Sequence, residues 1–175
     1  IPDGEIFRKG PVSVHSATQK EIHRGLYPEK EIIAAMEKAL DYLNDENEDI
    51  LFRTAVFHYL IGFIHPFYDG NGRLNRFISS YMLAKELEPV LSYRLSYTVK
   101  ENIEKYYAAF KISNNPLNRG DLTPFVFMFL EIVEKSILLL KEALQKRLEQ
   151  LNHYEALIIK LPYTKTSTEK DLYSI

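Results

Sequence analysis

An all-α domain carrying one small β-hairpin near its N-terminus is the fold this sequence predicts. Apolar residues recur three and four apart over most of the 175 residues, the spacing of one helix face. Strand-like alternation is confined to residues 1–28. Proline, glycine and asparagine fall between the periodic runs and punctuate them. The length suits one domain, able to bury about 70% of its unfolded surface.

Val12 and Val14 alternate with Ser13 and His15, and Ile22, Arg24 and Leu26 repeat the pattern more weakly. This predicts a hairpin over about residues 10–27 with its loop at 16–20. A two-stranded ribbon leaves an unpaired edge that an extended peptide can join. Pro28 and the acids Glu29 and Glu31 open the first helix, with Ile32, Ile33, Met36, Ala39, Leu40 and Leu43 as its apolar stripe. The acids from Asp45 to Asp49 read as a solvated turn and the next helix start rather than a metal site. Residues 49–64 form the second helix, with His58 as a packed side chain and Arg53 as a surface charge. Residues 73–87 form a third, with Phe77, Tyr81, Leu83 and Ala84 at helical spacing, and Pro89 ends it. Residues 89–98 read as a connection, and residues 99–113 as a helix rich in aromatic residues. After a breaker at 114–120, Thr123 is the expected N-cap and Pro124 the first helical residue. A long helix follows over 125–151, apolar at Phe129, Ile132, Val133, Ile137, Leu140, Leu144 and Leu148. A short helix over 152–160 and a polar tail or linker over 161–175 complete a chain of about seven helices.

The charge balance of −2 argues against nucleic-acid binding by charge alone. With no cysteine, the chain has no disulfide and no thiolate metal site, which suits a reducing compartment such as the cytoplasm. No apolar run reaches membrane-span length and no signal pattern opens the chain. Its first residue is Ile, so a processed chain or a piece of a longer one is expected.

The chemistry concentrates in His65-Pro66-Phe67-Tyr68-Asp69-Gly70-Asn71-Gly72-Arg73-Leu74-Asn75-Arg76, between the second and third helices. Glycines at 70 and 72 allow close approach to a ligand and a positive φ. A helix starting near Gly72 offers unpaired N–H groups and a partial positive charge to an anion. Arg73 and Arg76 share a helix face and can fork phosphate oxygens. Asp69 is a hard oxygen ligand of the kind that holds Mg²⁺ together with substrate phosphates. His65 is a candidate general base. Together these parts suit nucleoside triphosphates.

The stretch resembles the Fic family signature His-Pro-Phe-x-(Asp/Glu)-Gly-Asn-Gly-Arg-x-x-Arg at every fixed position. Residues 7–14, with the stretch to Pro28, resemble the family's flap, and the run from Tyr106-Tyr107 to 121–125 resembles its closing part. The resemblance implies a Fic-like helical bundle over residues 1–160 and a Mg²⁺-dependent transfer of AMP from ATP to a Tyr, Thr or Ser hydroxyl of a protein. By it, His65 takes the hydroxyl proton and Asp69 holds Mg²⁺. Gly70, Asn71 and Gly72 receive the α-phosphate, Arg73 the β-phosphate and Arg76 the γ-phosphate. Val12, Ser13 and Val14 line up the target, and Tyr106 or Tyr107 walls the adenosine pocket. Transfer of phosphate or another nucleotide-linked group, and removal of AMP, would share the same base and anion hole and stay open. A nucleotide-holding module without turnover would not need His65. Many family members carry an inhibitory Ser/Thr-x-x-x-Glu-Gly/Asn helix. Here Glu46-Asn47 and Glu101-Asn102 have its ending, but Tyr42 and Tyr97 stand at the Ser/Thr positions, so an inhibitory segment or partner outside these residues is expected. A homodimer is compatible with the sequence.

Overall fold

The computed structural model describes residues 3–15, 21–87 and 89–160, so the expected hairpin loop at 16–20 and the tail at 161–175 lie outside the described residues. Among the described residues, two strands and six α-helices follow one another: β1 (Ser13–His15), β2 (Glu21–Arg24), α1 (Glu29–Leu43), α2 (Ile50–Ile64), α3 (Asn71–Glu86), α4 (Pro89–Glu101), α5 (Ile103–Ser113) and α6 (Thr123–Ile159), with a 3-10 turn at Pro116–Asn118. By its contacts the chain divides into Ile1–Ser136 and Ile137–Ile175.

In the first unit, α2 is the central element. Asp49 caps it by accepting from the Leu51 N–H at 2.8 Å. Its buried residues point all round, because it packs against both α1 and α3. On one side Phe57, Ile61 and Ile64 meet Ile32, Met36, Ala39 and Leu43 of α1. On the other, Ala55 and Tyr59 meet Leu83, Leu95, Val99, Phe110, Phe125 and Phe129. Phe57, Phe125 and Phe129 are at most 1% exposed. Burial of that kind contributes about 2–3 kcal/mol per ring. The α1 stripe narrows to residues four and three apart (32, 36, 39, 43), leaving Leu40 43% exposed at its shoulder.

Several expectations are corrected. Residues 89–98 belong to a helix, since Pro89 stands at the first position of α4, where a missing N–H costs nothing. The aromatic-rich run is interrupted at Asn102, which separates α4 from α5 and donates its side-chain amide to Thr98 O at 2.7 Å. Arg53 is buried, not a surface charge, and donates from Nη1 to Leu43 O at 3.0 Å, closing the end of α1. Asp121, rather than Thr123, provides the cap before α6, with Oδ1 accepting from the Thr123 N–H at 2.9 Å. The face of α3 carrying Phe77 and Tyr81 is exposed, at 69% and 56%. Its buried face is the more polar line Asn71, Asn75, Ser79, with Met82 and Leu83. That line suits the interior because α2 offers it hydrogen-bond partners: Asn75 Nδ2 donates to His58 O at 2.7 Å, and Ser79 Oγ lies 2.7 Å from His58 Nδ1.

β1 and β2 pair antiparallel, with Ser13 opposite Arg24 and Val14 opposite His23, and a bulge falls between Val14 and His15. Before the hairpin, Glu29 on the first turn of α1 accepts from three successive backbone N–H groups, those of Glu5, Ile6 and Phe7, at 3.1, 2.9 and 2.9 Å. These bonds draw its carboxyl below the usual range.

In the second unit, residues 137–159 are one uninterrupted stretch of α6, so no separate helix begins at 152. Ile137, in the half of the helix expected to run through the core, is 43% exposed, and Leu144 and Leu148, in its half-polar second half, are each 57% exposed. Among the described residues, no helix is long and apolar enough to cross a membrane.

Candidate active site

α2 terminates at His65, whose φ of 52° and ψ of 60° place it in the left-handed region. Its N–H still donates to Ile61 O at 2.9 Å, so the turn closes the helix and begins the motif loop in one residue. Burial pulls the imidazole pKa below its ordinary value. The neighbouring His23 and Arg8 act in the same direction, and a backbone hydrogen bond at Gly62 opposes them. His65 is therefore neutral near pH 7, the form a general base requires.

The loop is braced from within and from the N-terminal segment. Asn71 Oδ1 accepts from the Phe67 N–H at 2.9 Å, and its Nδ2 donates to Phe67 O at 2.7 Å. Phe7 meets the Phe67 ring edge-on at 5.6 Å. Tyr68 accepts from the Gly10 N–H at 2.8 Å and donates to the Asp3 carboxylate at 3.1 Å. The expected anion hole thus divides into two kinds of group. The Asn71 side chain holds Phe67, and the Gly70 N–H donates to Asp69 Oδ1 at 2.6 Å. Gly70, at φ 85°, is the N-cap of α3, so the N–H groups of Asn71, Gly72 and Arg73 form the open first turn. They face a cavity of about 270 Å³ lined by His65, Tyr68, Asp69, Arg73 and Arg76.

Arg73 and Asp69 pair at 3.1 Å with both side chains largely in solvent. An exposed pair of this sort holds weakly, so each partner is available to a ligand. Arg76 donates from Nε to Ser96 Oγ at 3.2 Å, and so α4 sets the second guanidinium. Among the described residues there is no cluster of three His, Cys, Asp or Glu around one point. A single exposed carboxylate beside a phosphate-sized cavity nevertheless fits a divalent cation whose remaining ligands are phosphate oxygens and water.

A second cavity, of about 220 Å³, adjoins the first and shares His65, Asn71, Gly72 and Arg76 with it. Its other walls are Val14, Ile22 and His23 of the hairpin, Gly62, Val99 and Ile103, and the rings of Tyr106, Tyr107 and Phe110. Both tyrosines expected near a nucleoside line this cavity, and their rings meet edge-on at 5.6 Å. Of the hairpin residues singled out, Val14 lines the cavity, Ser13 pairs with Arg24, and Val12 O accepts from the Gly25 N–H at 3.0 Å. His58, by contrast, is 1% exposed and its pKa is lowered to about 3 by burial, so it stays neutral and structural.

Sequence reasoning missed three residues here. His23 sits 2.6 Å from Phe63 O through Nε2 and 3.2 Å from Asn114 Nδ2 through Nδ1. Only the neutral Nε2–H tautomer satisfies both partners. Its sole sequence signal was its place in the weak period-two run. Asn75 is 2% exposed and its Oδ1 has no protein partner, on a wall of the apolar cavity. Arg8 is fully buried beside His65; it lies in the stretch 7–14 that resembles the family's flap, but nothing in the sequence singled it out.

Residues 2–83 match the family described as the Fic/DOC family. "Protein adenylyltransferase Fic" of Drosophila willistoni is 31% identical over 110 residues, which are 61% of this chain and 20% of that protein. "Protein adenylyltransferase fic-1" of Caenorhabditis elegans is 31% identical over 109 residues, with the same coverage of 61% and 20%. The chain therefore spans about a fifth of the length of these curated relatives. The crystal structure of a Fic family protein from Desulfovibrio desulfuricans G20 superposes with a TM-score of 0.65 at 30% identity, covering 81% of this chain and 41% of that one.

Proposed function

Because this chain belongs to the Fic/DOC family, we propose that it transfers AMP from ATP to a hydroxyl of a target protein, releasing pyrophosphate. The observation that carries this reading is the meeting of two cavities at His65, one polar and lined by arginines, the other apolar and aromatic. A nucleoside in the aromatic cavity with its phosphates in the polar one brings the α-phosphorus to the junction, beside the neutral imidazole. His65 takes the proton of a Tyr, Thr or Ser hydroxyl as its oxygen attacks the α-phosphorus, and pyrophosphate leaves on the opposite side. The first-turn N–H groups of α3, those of Asn71 and Gly72 among them, stabilise the α-phosphate oxygens, and Gly70 sets that turn. Arg73 and Arg76 receive the β- and γ-phosphates, Arg73 by exchanging its exposed partner Asp69. Asp69, with phosphate oxygens, would hold Mg²⁺, which neutralises charge on the leaving pyrophosphate. The chain's own contribution is mostly positioning and electrostatics.

The target's extended segment joins the free edge of the β1–β2 hairpin, which brings its hydroxyl over His65. A segment or partner supplying a carboxylate to Arg76 would block the γ-phosphate site and restrain the reaction.

Measuring ATP affinity and turnover for the wild type and His65→Ala tests this. The expected result is retained affinity, within about threefold, and a loss of turnover of at least about 100-fold. Retained turnover would remove His65 from the chemistry.

A further inference from the structure

Arg8 is fully buried, yet among the described residues its guanidinium donates to backbone carbonyls and to no carboxylate. Nε donates to His65 O at 2.9 Å, Nη1 to Gly10 O at 2.6 Å, and Nη2 to Leu26 O at 2.7 Å and, at 3.5 Å, to Ile64 O. Its backbone N–H donates to Pro66 O at 3.3 Å. One planar fork therefore joins three pieces of chain: the segment entering β1, the segment leaving β2, and the end of α2 that carries the imidazole. Burying a cation against carbonyl dipoles alone costs free energy that an apolar side chain would avoid. A merely structural plug would not need a charge there.

His65 gives the arrangement its purpose. A non-glycine residue in the left-handed region is strained by about 1–3 kcal/mol and keeps that conformation only when its surroundings over-determine it. The Arg8 bond to its carbonyl contributes to this, and so does the close packing of Gly25. A Cβ at Gly25 would stand 2.6 Å from Arg8 Nη2, 2.8 Å from His65 Cβ and 3.0 Å from Ile64 O. The hairpin root is thus packed directly on the imidazole's own stem, and the Leu26 N–H donates to Ile64 O at 3.1 Å alongside.

We propose that Arg8 is a positioning residue for His65, fastening the backbone of the base to both roots of the hairpin, so that hairpin and base move as one piece. The inference rests on His65 being the base of the transfer reaction. Lysine cannot take the role, because a single ammonium cannot reach carbonyls on three segments in a plane.

The test uses the full chain with Arg8→Lys and Arg8→Ala, following Mg·ATP affinity, turnover against target concentration, and His65 ring titration by NMR. The groups facing His65 and kept constant are His23 on β2, Tyr68 and Asp69 in the motif loop, and Arg73 and Arg76 on α3. The expected result is ATP affinity within about threefold of wild type, since the phosphate-facing groups lie on α3, with kcat reduced about 100-fold. The His65 titration midpoint should move up in Arg8→Ala, and added guanidinium ion should restore part of its rate. Turnover within about threefold of wild type in Arg8→Lys would overturn the proposal, as would loss of ATP affinity in step with kcat. If Arg8→Ala does not fold, Arg8→Lys decides. If the wild type itself transfers no AMP, the functional reading fails but the ring titration still decides: an unchanged His65 midpoint and line shape in Arg8→Lys, and in Arg8→Ala where it folds, would overturn the positioning role.

Discussion

Asn71 grips Phe67 at both ends of its peptide unit, accepting from its N–H at 2.9 Å and donating to its carbonyl at 2.7 Å. The motif amide is thus a brace that sets the loop's curvature and leaves ligand contact to the backbone beside it. Asn71→Ala should cost about 1–3 kcal/mol in chemical denaturation, because two part-buried backbone groups lose their partners. A change under about 0.5 kcal/mol would mean that the loop holds itself.

The transfer rate should depend on pH through His65. Its pKa lies below the ordinary 6.5, held there first by burial and then by His23 and Arg8. The neutral form acts as base, so the rate should rise with pH, reach a plateau before neutrality and lose one decade per pH unit below the midpoint. A midpoint at or above the ordinary histidine value would contradict the buried, neutral base.

His58 predicts a separate effect on stability. In the folded chain burial lowers its pKa to about 3, against the ordinary 6.5, so the unfolded chain binds the extra proton first. The stability it contributes is complete above the unfolded value and declines as pH falls from there toward about 3. Urea unfolding across this range should show a slope that His58→Gln largely removes. Equal slopes in the two proteins would mean that His58 is solvated or charged when folded.

The two faces of α3 should respond oppositely. Phe77 is 69% exposed and Leu83 is 1% exposed. Phe77→Ser should alter stability by no more than about 0.5 kcal/mol, and Leu83→Ala should cost about 2–5 kcal/mol. Comparable losses would mean that the Phe77 face is covered.

These two residues also explain how far the sequence could be read. The motif was legible because its residue types are unusual together and adjacent in the chain. Helices α1 and α2 were legible because their breakers and caps are local. Periodicity marked α3 as a helix and put Leu83 rightly inside but Phe77 and Tyr81 wrongly with it, because the Asn75 and Ser79 side chains find interior partners on His58, 17 and 21 residues away. The start of α4 was hidden for a similar reason: Pro89 reads equally as a stop and as a first helical residue. Arg8 stood in the stretch resembling the flap, but its role left no trace, since its partners are backbone carbonyls of Gly10, Leu26, Ile64 and His65, and a carbonyl has no letter in the sequence.

The central claim is that the α-phosphorus, rather than the γ-phosphorus, sits beside His65. It is tested most directly by supplying α-labelled and γ-labelled ATP in parallel, with Mg²⁺ and a protein mixture containing targets, to the wild type and to His65→Ala. The account predicts protein labelled from the α position only, and no label with the variant. Label arriving from the γ position would contradict it, because the nucleotide would then lie reversed across the two cavities.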